Sequence, residues 1–129
     1  MSLSKSEMER YQRQLLVDGW DQERLKIARI LIVGTGGLGG ISATYLAAAG
    51  VGHLRICDSD RVELSNLNRQ ILFTTEDIGK PKAALAAKRL STQNPEIKIE
   101  SISDTLTDAN AAELASGCDL IIDGLDNHS

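Results

Sequence analysis

The chain has 129 residues, of which 42% are hydrophobic, and its 18 acidic and 14 basic side chains give a net charge of -4. This length fits one compact domain. The negative charge disfavours non-specific binding to nucleic acid or to an anionic membrane. The longest apolar run, near residues 41–51, is too short to span a bilayer. We therefore expect neither a nucleic-acid nor a membrane partner.

Two cysteines, Cys57 and Cys118, lack the paired spacing of a zinc site, and no signal peptide indicates an oxidising compartment. We expect both to be structural, in a reduced, cytoplasmic setting.

Helix and strand patterns alternate along the chain. Ser4 and Glu7 have the spacing of a capping box that opens an N-terminal helix, and a second short helix is predicted near residues 21–27. Strands are predicted at 30–33, 53–57, 97–102 and 120–122. Met8, Tyr11 and Leu15 mark the helix of the N-terminal arm. The helices between the strands are marked by Leu38, Ile41, Tyr45 and Ala49 before Gly50, by Ala83, Ala86, Ala87 and Leu90, and by a cap at Thr107 or Asp108 before Gly117.

This alternation predicts an α/β fold, a Rossmann-like doubly wound parallel sheet of which only the first half is present. Residues 1–129 are interpreted as a single nucleotide-binding domain, with an N-terminal helical arm at 1–27 and the Rossmann-like half at 28–129. The sequence stops directly after a strand, which suggests truncation. We expect apolar surface to be exposed along the strand that begins at Leu120.

A glycine-rich motif follows the first predicted strand. Gly34, Gly36 and Gly39, with Gly37 and Leu38 between them, match G-x-G-x-x-G at the head of a helix, where free N–H groups and the helix dipole attract phosphate. The same glycines could merely allow a helix and a strand to pack closely. Asp58 follows the second strand, where a carboxylate accepts hydrogen bonds from ribose. NAD and ATP both remain open at this point.

Cationic side chains then favour a polyphosphate. Residues 58–70 are too polar for a plain crossover helix and are predicted to face a ligand. Lys82 opens the next helix, where a cation is disfavoured unless an anion is bound. Arg69 offers a fork for bidentate phosphate contact and Asn66 a neutral donor, whereas Lys80 is interpreted as a solvent charge.

Adenylyl transfer to a carboxylate suits such a site. A carboxylate with a pKa near ~3.5 is already an ionised nucleophile, so positioning and charge stabilisation carry the catalysis. Asp126, just beyond the last strand, is predicted to hold Mg²⁺.

Several motifs occur in order: Arg10-Tyr11-Gln12-Arg13-Gln14, the glycine turn, Asp58-x-Asp60, Ser65-Asn66-Leu67-x-Arg69-Gln70, Gly79-x-Pro81-Lys82 and Asp126-Asn127. Together they resemble the ThiF/MoeB/HesA adenylyltransferases, relatives of the ubiquitin-activating enzymes, over essentially the whole chain. The resemblance implies that Gly36 to Gly39 and Asp58 bind adenosine, that Asn66, Arg69 and Lys82 hold the phosphates, and that Asp126 binds magnesium. We include Gly34, Asp60 and Gln70 among the nucleotide-binding residues, although Asp60 could equally hold the strand-exit turn.

The resemblance also implies a homodimer in which Arg13 reaches the neighbouring protomer's ATP and joins Arg69, Lys82 and Asp126 as a catalytic residue. The implied reaction activates the C-terminal Gly-Gly carboxylate of a ubiquitin-like sulfur-carrier protein with ATP and Mg²⁺. Zinc is expected only if the protein has a C-terminal extension.

Two other functions remain open. An NAD-dependent oxidoreductase would use the glycine turn and Asp58 but has no use for Arg13, Arg69 and Lys82. A noncatalytic nucleotide-binding or dimerisation module is the other alternative, and the retained phosphate contacts argue against it.

Overall fold

The computed structural model describes residues 3–124. Its elements, in chain order, are α1 (Lys5–Arg10), α2 (Gln22–Ile27), β1 (Arg29–Val33), α3 (Gly37–Ala49), β2 (His53–Cys57), α4 (Lys82–Gln93), β3 (Lys98–Ile102), α5 (Ala111–Ala115) and β4 (Leu120–Asp123). The strands form one parallel sheet in the order β3-β2-β1-β4. The predicted α/β, Rossmann-like fold is confirmed.

Helices α3 and α4 cover one face of the sheet. Ile32 and Ile56 project from the central strands into a core that they share with Ala43, Ala47 and other small side chains. Since alanine and glycine line the buried side of α3, that helix packs close to the sheet. The predicted stripe of α4 is buried at all four positions.

The stripe predicted for α3 identified the helix correctly but lies on its outer face. Leu38 and Tyr45 are 68% and 72% exposed, and Ile41 is exposed as well. The face that enters the core consists of Gly39, Gly40, Ala43 and Ala47. Hydrophobicity alone pointed to the wrong side because close packing selected the small residues.

The opposite face of the sheet has a smaller core, formed by Leu31, Val33, Cys57 and Leu114. Helix α5 covers it and begins at Ala111, later than predicted, because Thr107 instead bonds to Asn110 in the preceding turn. Along β4, Leu120 and Ile121 are 54% and 53% exposed, which confirms the predicted exposure of this strand.

The N-terminal arm packs on the ends of α3 and α4. The capping box at Ser4 and Glu7 is present, but α1 ends at Arg10, so Leu15 lies in a separate 3-10 turn and is partly exposed. Tyr11 is buried and accepts a hydrogen bond from Asn94 beyond the end of α4. Within residues 3–124 no helix is both long enough and apolar enough to cross a membrane.

Candidate nucleotide-binding site

The carboxyl ends of the four strands meet at one edge of the sheet, where the glycine turn lies. The Gly34 N–H donates to the Cys57 carbonyl (2.8 Å), the Asp58 N–H to the Ile102 carbonyl (3.0 Å), and the Gly124 N–H to the Val33 carbonyl (2.7 Å). In a parallel α/β sheet this edge is where ligands bind.

The glycines of the turn have different physical roles. Gly34 has a backbone φ of +91°, a value that residues with a side chain rarely adopt. A Cβ at Gly39 would lie 1.9 Å from the Gly34 carbonyl oxygen, and one at Gly124 would lie 2.6 Å from the Gly39 Cα, so both contacts require glycine. A Cβ at Gly37 would meet nothing within 4 Å. Close packing therefore explains Gly39, whereas Gly37 leaves its side of the backbone open to a ligand.

Helix α3 presents its amino end at this edge. Gly36 is its N-cap and offers no side chain, and the first N–H groups of a helix have no partner within it. Leu38 projects outward in the first turn. The arrangement suits an anion held by backbone N–H groups.

Asp58 connects the glycine turn to the end of β2. Its Oδ2 accepts hydrogen bonds from both the backbone N–H and the hydroxyl of Thr35, each at 2.8 Å. Its Oδ1 accepts a bond from the Asp60 N–H, also at 2.8 Å. The carboxylate is buried against the turn, and its contact with ribose stays a prediction. The sequence analysis did not single out Thr35, although a hydroxyl inside G-x-G was a visible signal.

Asp60 in turn connects to the start of α4. Its carbonyl accepts the Lys82 N–H at 3.0 Å, and a short antiparallel bridge between Arg61 and Pro81 fixes the same region. The Asp60 side chain is exposed. The Asp58 carboxylate and the Asp60 backbone thus link the glycine turn to Lys82 through a continuous set of hydrogen bonds.

Lys82 is the first residue of α4 and is only 4% exposed. Among residues 3–124, its ammonium has no carboxylate and no hydrogen-bond acceptor as a partner. The first turn of α4 contains no acidic residue, and Pro81 provides no side-chain cap. The cation of a largely buried lysine, at the positive end of a helix, is therefore left without compensation by this part of the chain.

Asn66, Arg69 and Gln70 lie on one tight turn, where the N–H groups of Arg69 and Gln70 both donate to the Asn66 carbonyl. The Arg69 guanidinium is exposed, and its Nη1 donates to the Ser65 carbonyl (3.1 Å) and to Asn68 Oδ1 (3.0 Å). Gln70 is 3% exposed, and its buried Oε1 accepts no hydrogen bond in the described residues. No hydrogen bond or ion pair joins this turn to Lys82 in the described structure.

An ion pair between a buried carboxylate and a partly exposed guanidinium joins the following segment to α4. Arg89 donates to both carboxylate oxygens of Asp77 and to the Leu72 carbonyl, the last at 2.6 Å. The Thr74 N–H also donates to Asp77. Hydrogen bonds from Arg89 lower the pKa of Asp77 far below its ordinary value, despite the opposing effect of burial. This pair was missed, because nothing in the local sequence shows that residues twelve apart in chain order meet.

Arg13 lies away from the glycine turn. It is exposed at the start of a 3-10 turn, and the adjacent Gln14 donates from Nε2 to the Ala49 carbonyl at the carboxyl end of α3 (2.6 Å). A helix of the 13 residues of α3 is about 20 Å long, so Arg13 is positioned by the end of α3 opposite the turn. Arg10, interpreted above as part of a family motif, donates to the Gln93 carbonyl (3.1 Å) at the end of α4.

Asp126, the predicted magnesium ligand, lies outside the described residues. Within residues 3–124 no group of three His, Cys, Asp or Glu side chains is arranged to hold a metal ion. Both cysteines are free, and burial raises the pKa of the Cys57 thiol, in keeping with a structural role.

The sheet order, the glycine turn and the carboxylate after β2 define a Rossmann-like α/β domain, and solved structures of the same fold cover almost the whole chain. The ThiF family model matches residues 11–129. The chain therefore belongs to the ThiF family, which confirms the resemblance inferred from its motifs.

Several known proteins are similar to this chain over nearly its full length. The sulfur carrier protein adenylyltransferase of Thermus thermophilus is 48% identical over 98% of this chain and 48% of its own length. The molybdopterin-synthase adenylyltransferase of Escherichia coli is 47% identical over 97% of this chain and 51% of its own. The crystal structure of E. coli tRNA N6-threonylcarbamoyladenosine dehydratase, TcdA, in complex with ATP superimposes with a TM-score of 0.91 at 30% identity, over 98% of this chain and 53% of that one. The chain thus spans about half the length of the relatives it matches.

Proposed function

We propose that this chain is the nucleotide-binding part of an ATP-dependent adenylyltransferase that activates the C-terminal glycine carboxylate of a ubiquitin-like sulfur-carrier protein. The observation that carries the proposal is Lys82, a lysine that is only 4% exposed and whose ammonium has no counter-charge among the described residues. The names of the T. thermophilus and E. coli relatives support the same reaction class.

An uncompensated buried cation is unfavourable unless something else supplies negative charge. The polyphosphate of ATP would supply it and would also interact favourably with the amino ends of α3 and α4. Arg69, exposed and without a carboxylate partner in the described residues, adds a second cation for the phosphates. Asn66 and Gln70 contribute amide groups from the same turn.

In the proposed reaction, a carboxylate oxygen of the carrier attacks the α-phosphorus of ATP and forms an acyl-adenylate. The bond from the α-phosphorus to its bridging oxygen breaks, and pyrophosphate leaves with the electron pair. No proton transfer is needed, because the carboxylate is already ionised. Lys82 and Arg69 orient the phosphates and stabilise the charge that develops on the leaving group.

Magnesium would neutralise phosphate charge when bound. It commonly binds through one or two carboxylates together with phosphate oxygens, so a single protein carboxylate is sufficient for such a site. The proposal keeps Asp126 as that ligand on the sequence argument alone, and the acceptor-only Oε1 of Gln70, unpartnered in the described residues, is compatible with a nearby hydrated cation.

The proposal includes a homodimer. Because Arg13 is positioned near the far end of α3, about 20 Å along the helix from the glycine turn, it is poorly placed to reach the phosphates of its own chain. A second copy could bring its Arg13 to this site. The exposed apolar side chains of α3, Leu38, Ile41 and Tyr45, provide a surface on the same helix for that copy. Sedimentation of wild type and of Tyr45→Glu is expected to show a dimer that the variant weakens, and a wild-type monomer at all concentrations would contradict this part.

A carrier protein is preferred over a tRNA substrate, the substrate named for the TcdA relative. The net charge of -4 gives this chain a poor electrostatic match to an RNA backbone. The choice is testable because the two substrates are added separately.

The direct test is ATP–pyrophosphate exchange by the purified protein. Exchange is expected only when a carrier ending in Gly-Gly is added, and it should vanish when the terminal glycine of the carrier is removed. Lys82→Met should abolish exchange, whereas Lys88→Met, which removes an exposed ammonium from the same helix, should not. Exchange with tRNA but with none of the carriers would contradict the proposed substrate.

Calorimetry separates the proposal from an NAD-dependent oxidoreductase. Mg-ATP is expected to bind wild type and to bind Arg69→Ala at least tenfold more weakly, since a charged hydrogen bond contributes about 1.5–3 kcal/mol. Tight NAD binding that is unchanged in Arg69→Ala would instead support the oxidoreductase.

A further inference from the structure

Thr35 occupies an unusual position inside the glycine turn. It is 1% exposed, and both its backbone N–H and its hydroxyl donate to the same oxygen, Oδ2 of Asp58, at 2.8 Å each. A carboxylate can only accept, so the hydroxyl must donate to it. The side chain therefore acts on Asp58 rather than on solvent.

These contacts determine how much of Asp58 is left for a ligand. An ionised carboxylate has about four lone-pair sites, two on each oxygen. Thr35 takes both sites on Oδ2, and the Asp60 N–H takes one on Oδ1. A single acceptor site, on Oδ1, remains unused by the described residues.

We propose that Thr35 is a positioning residue that fixes the Asp58 carboxylate so that it accepts a hydrogen bond from only one of the two ribose hydroxyls. The proposal rests on the proposed ATP site and adds a specificity to it. With Oδ2 held by two donors of one residue, the carboxylate cannot rotate to offer an oxygen to each hydroxyl.

The expected consequence is unequal recognition of two ATP analogues. Of the two analogues, 2′-deoxy-ATP and 3′-deoxy-ATP, one should bind at least about tenfold more weakly than ATP, because it lacks the hydroxyl that donates to a charged acceptor. The other should bind within about twofold of ATP, since its missing hydroxyl makes no bond to Asp58.

Calorimetric titration with Mg-ATP and with both analogues tests this on four proteins: wild type, Thr35→Val, Thr35→Ser and Thr92→Val. Valine has the shape of threonine but no hydroxyl, and serine restores the donor. Thr92 is the matched control, because its exposed hydroxyl donates within α4 to the Lys88 carbonyl (3.0 Å) and does not contact Asp58. Unfolding midpoints verify that each protein is folded.

Thr35→Val is expected to bring the affinity ratio of the two analogues at least threefold closer to one, and Thr35→Ser and Thr92→Val are expected to keep the wild-type ratio. A purely structural role for Thr35 would weaken all three nucleotides together and leave the ratio unchanged, which would overturn the inference. Equal losses for both analogues in wild type would overturn it as well, while ATP binding by the wild type would leave the proposed function intact. Absence of ATP binding by the wild type would overturn both.

Discussion

Replacing Lys82 with methionine should make the folded chain more stable and the nucleotide site weaker. Methionine keeps the length of the apolar stem, which is buried, and removes the ammonium, which has no partner among the described residues. Because Lys82 is the first residue of α4, removing its charge relieves repulsion from the helix dipole, about 0.3–1 kcal/mol. Relief of desolvation adds to this, so we expect a total gain of about 1 kcal/mol, or roughly 4 °C in Tm.

The assay is thermal unfolding of wild type and variant, each without nucleotide and with saturating Mg-ATP. Wild type should be stabilised by ATP to an extent that rises with the logarithm of the ATP concentration over Kd, and the variant should lose most of that stabilisation. Lys88→Met serves as the control, because its ammonium is exposed on the same helix, and it should change neither quantity appreciably. A variant that is at least 1 kcal/mol less stable than wild type yet keeps full stabilisation by ATP would refute the reasoning.

Three further predictions concern the glycine turn, the ion pair and pH. Gly37→Ala should fold with a free energy of unfolding equal to that of wild type or up to about 1 kcal/mol higher, yet bind ATP more weakly. In Gly39→Ala the free energy of unfolding, measured with urea, should fall by about 1–3 kcal/mol because the new Cβ meets a carbonyl oxygen. Asp77→Asn should lower the free energy of unfolding by about 2 kcal/mol, less than for a fully buried pair because Arg89 is partly exposed; an unchanged urea midpoint would show that the pair contributes little. Burial, with the nearby Arg29 and Lys98 charges, lowers the pKa of His53 in the folded chain, so the unfolded chain binds the proton more readily. The free energy of unfolding should therefore fall as the pH drops below about 6.5. His53→Gln should flatten this dependence between about pH 7 and 5.

The order of elements was readable from the sequence because each signal was local. An apolar run placed β1, alternation of apolar and polar residues placed β2, and the alanine stripe of α4 gave both the helix and its buried face. The face of α3 was not readable, since the residues that enter the core are the least hydrophobic of its apolar set. The start of α5 was also misplaced, because Thr107 caps a turn with Asn110 in place of the helix itself.

The candidate site was readable as residue types but not as contacts. Motif spacing identified Asp58 and Lys82, yet their connection through the backbone of Asp60 depends on how β2 and α4 come together. The role of Thr35 depends on the same tertiary approach, and so does the pairing of Asp77 with Arg89. Sequence periodicity can indicate which face a side chain takes, as it did for α4, but it does not report which distant group that side chain meets.

The distribution of satisfied and unsatisfied groups gives the strongest physical argument for a ligand site. Many deeply buried polar side chains elsewhere in the described residues have partners, as in the pairs of Glu7 with Lys26 and Asp77 with Arg89, although Nδ1 of His53, at the amino end of β2, has none. Lys82 and Gln70 are equally buried, and in the described structure the ammonium of one and the amide oxygen of the other have none. Both belong to the connection between β2 and α4, which the Thr35–Asp58–Asp60 contacts hold against the glycine turn without any ligand. Since folding would be favoured by pairing these groups or replacing them with apolar ones, their occurrence together beside the glycine turn is the pattern expected of a binding site, and the proposed nucleotide would supply the missing partners.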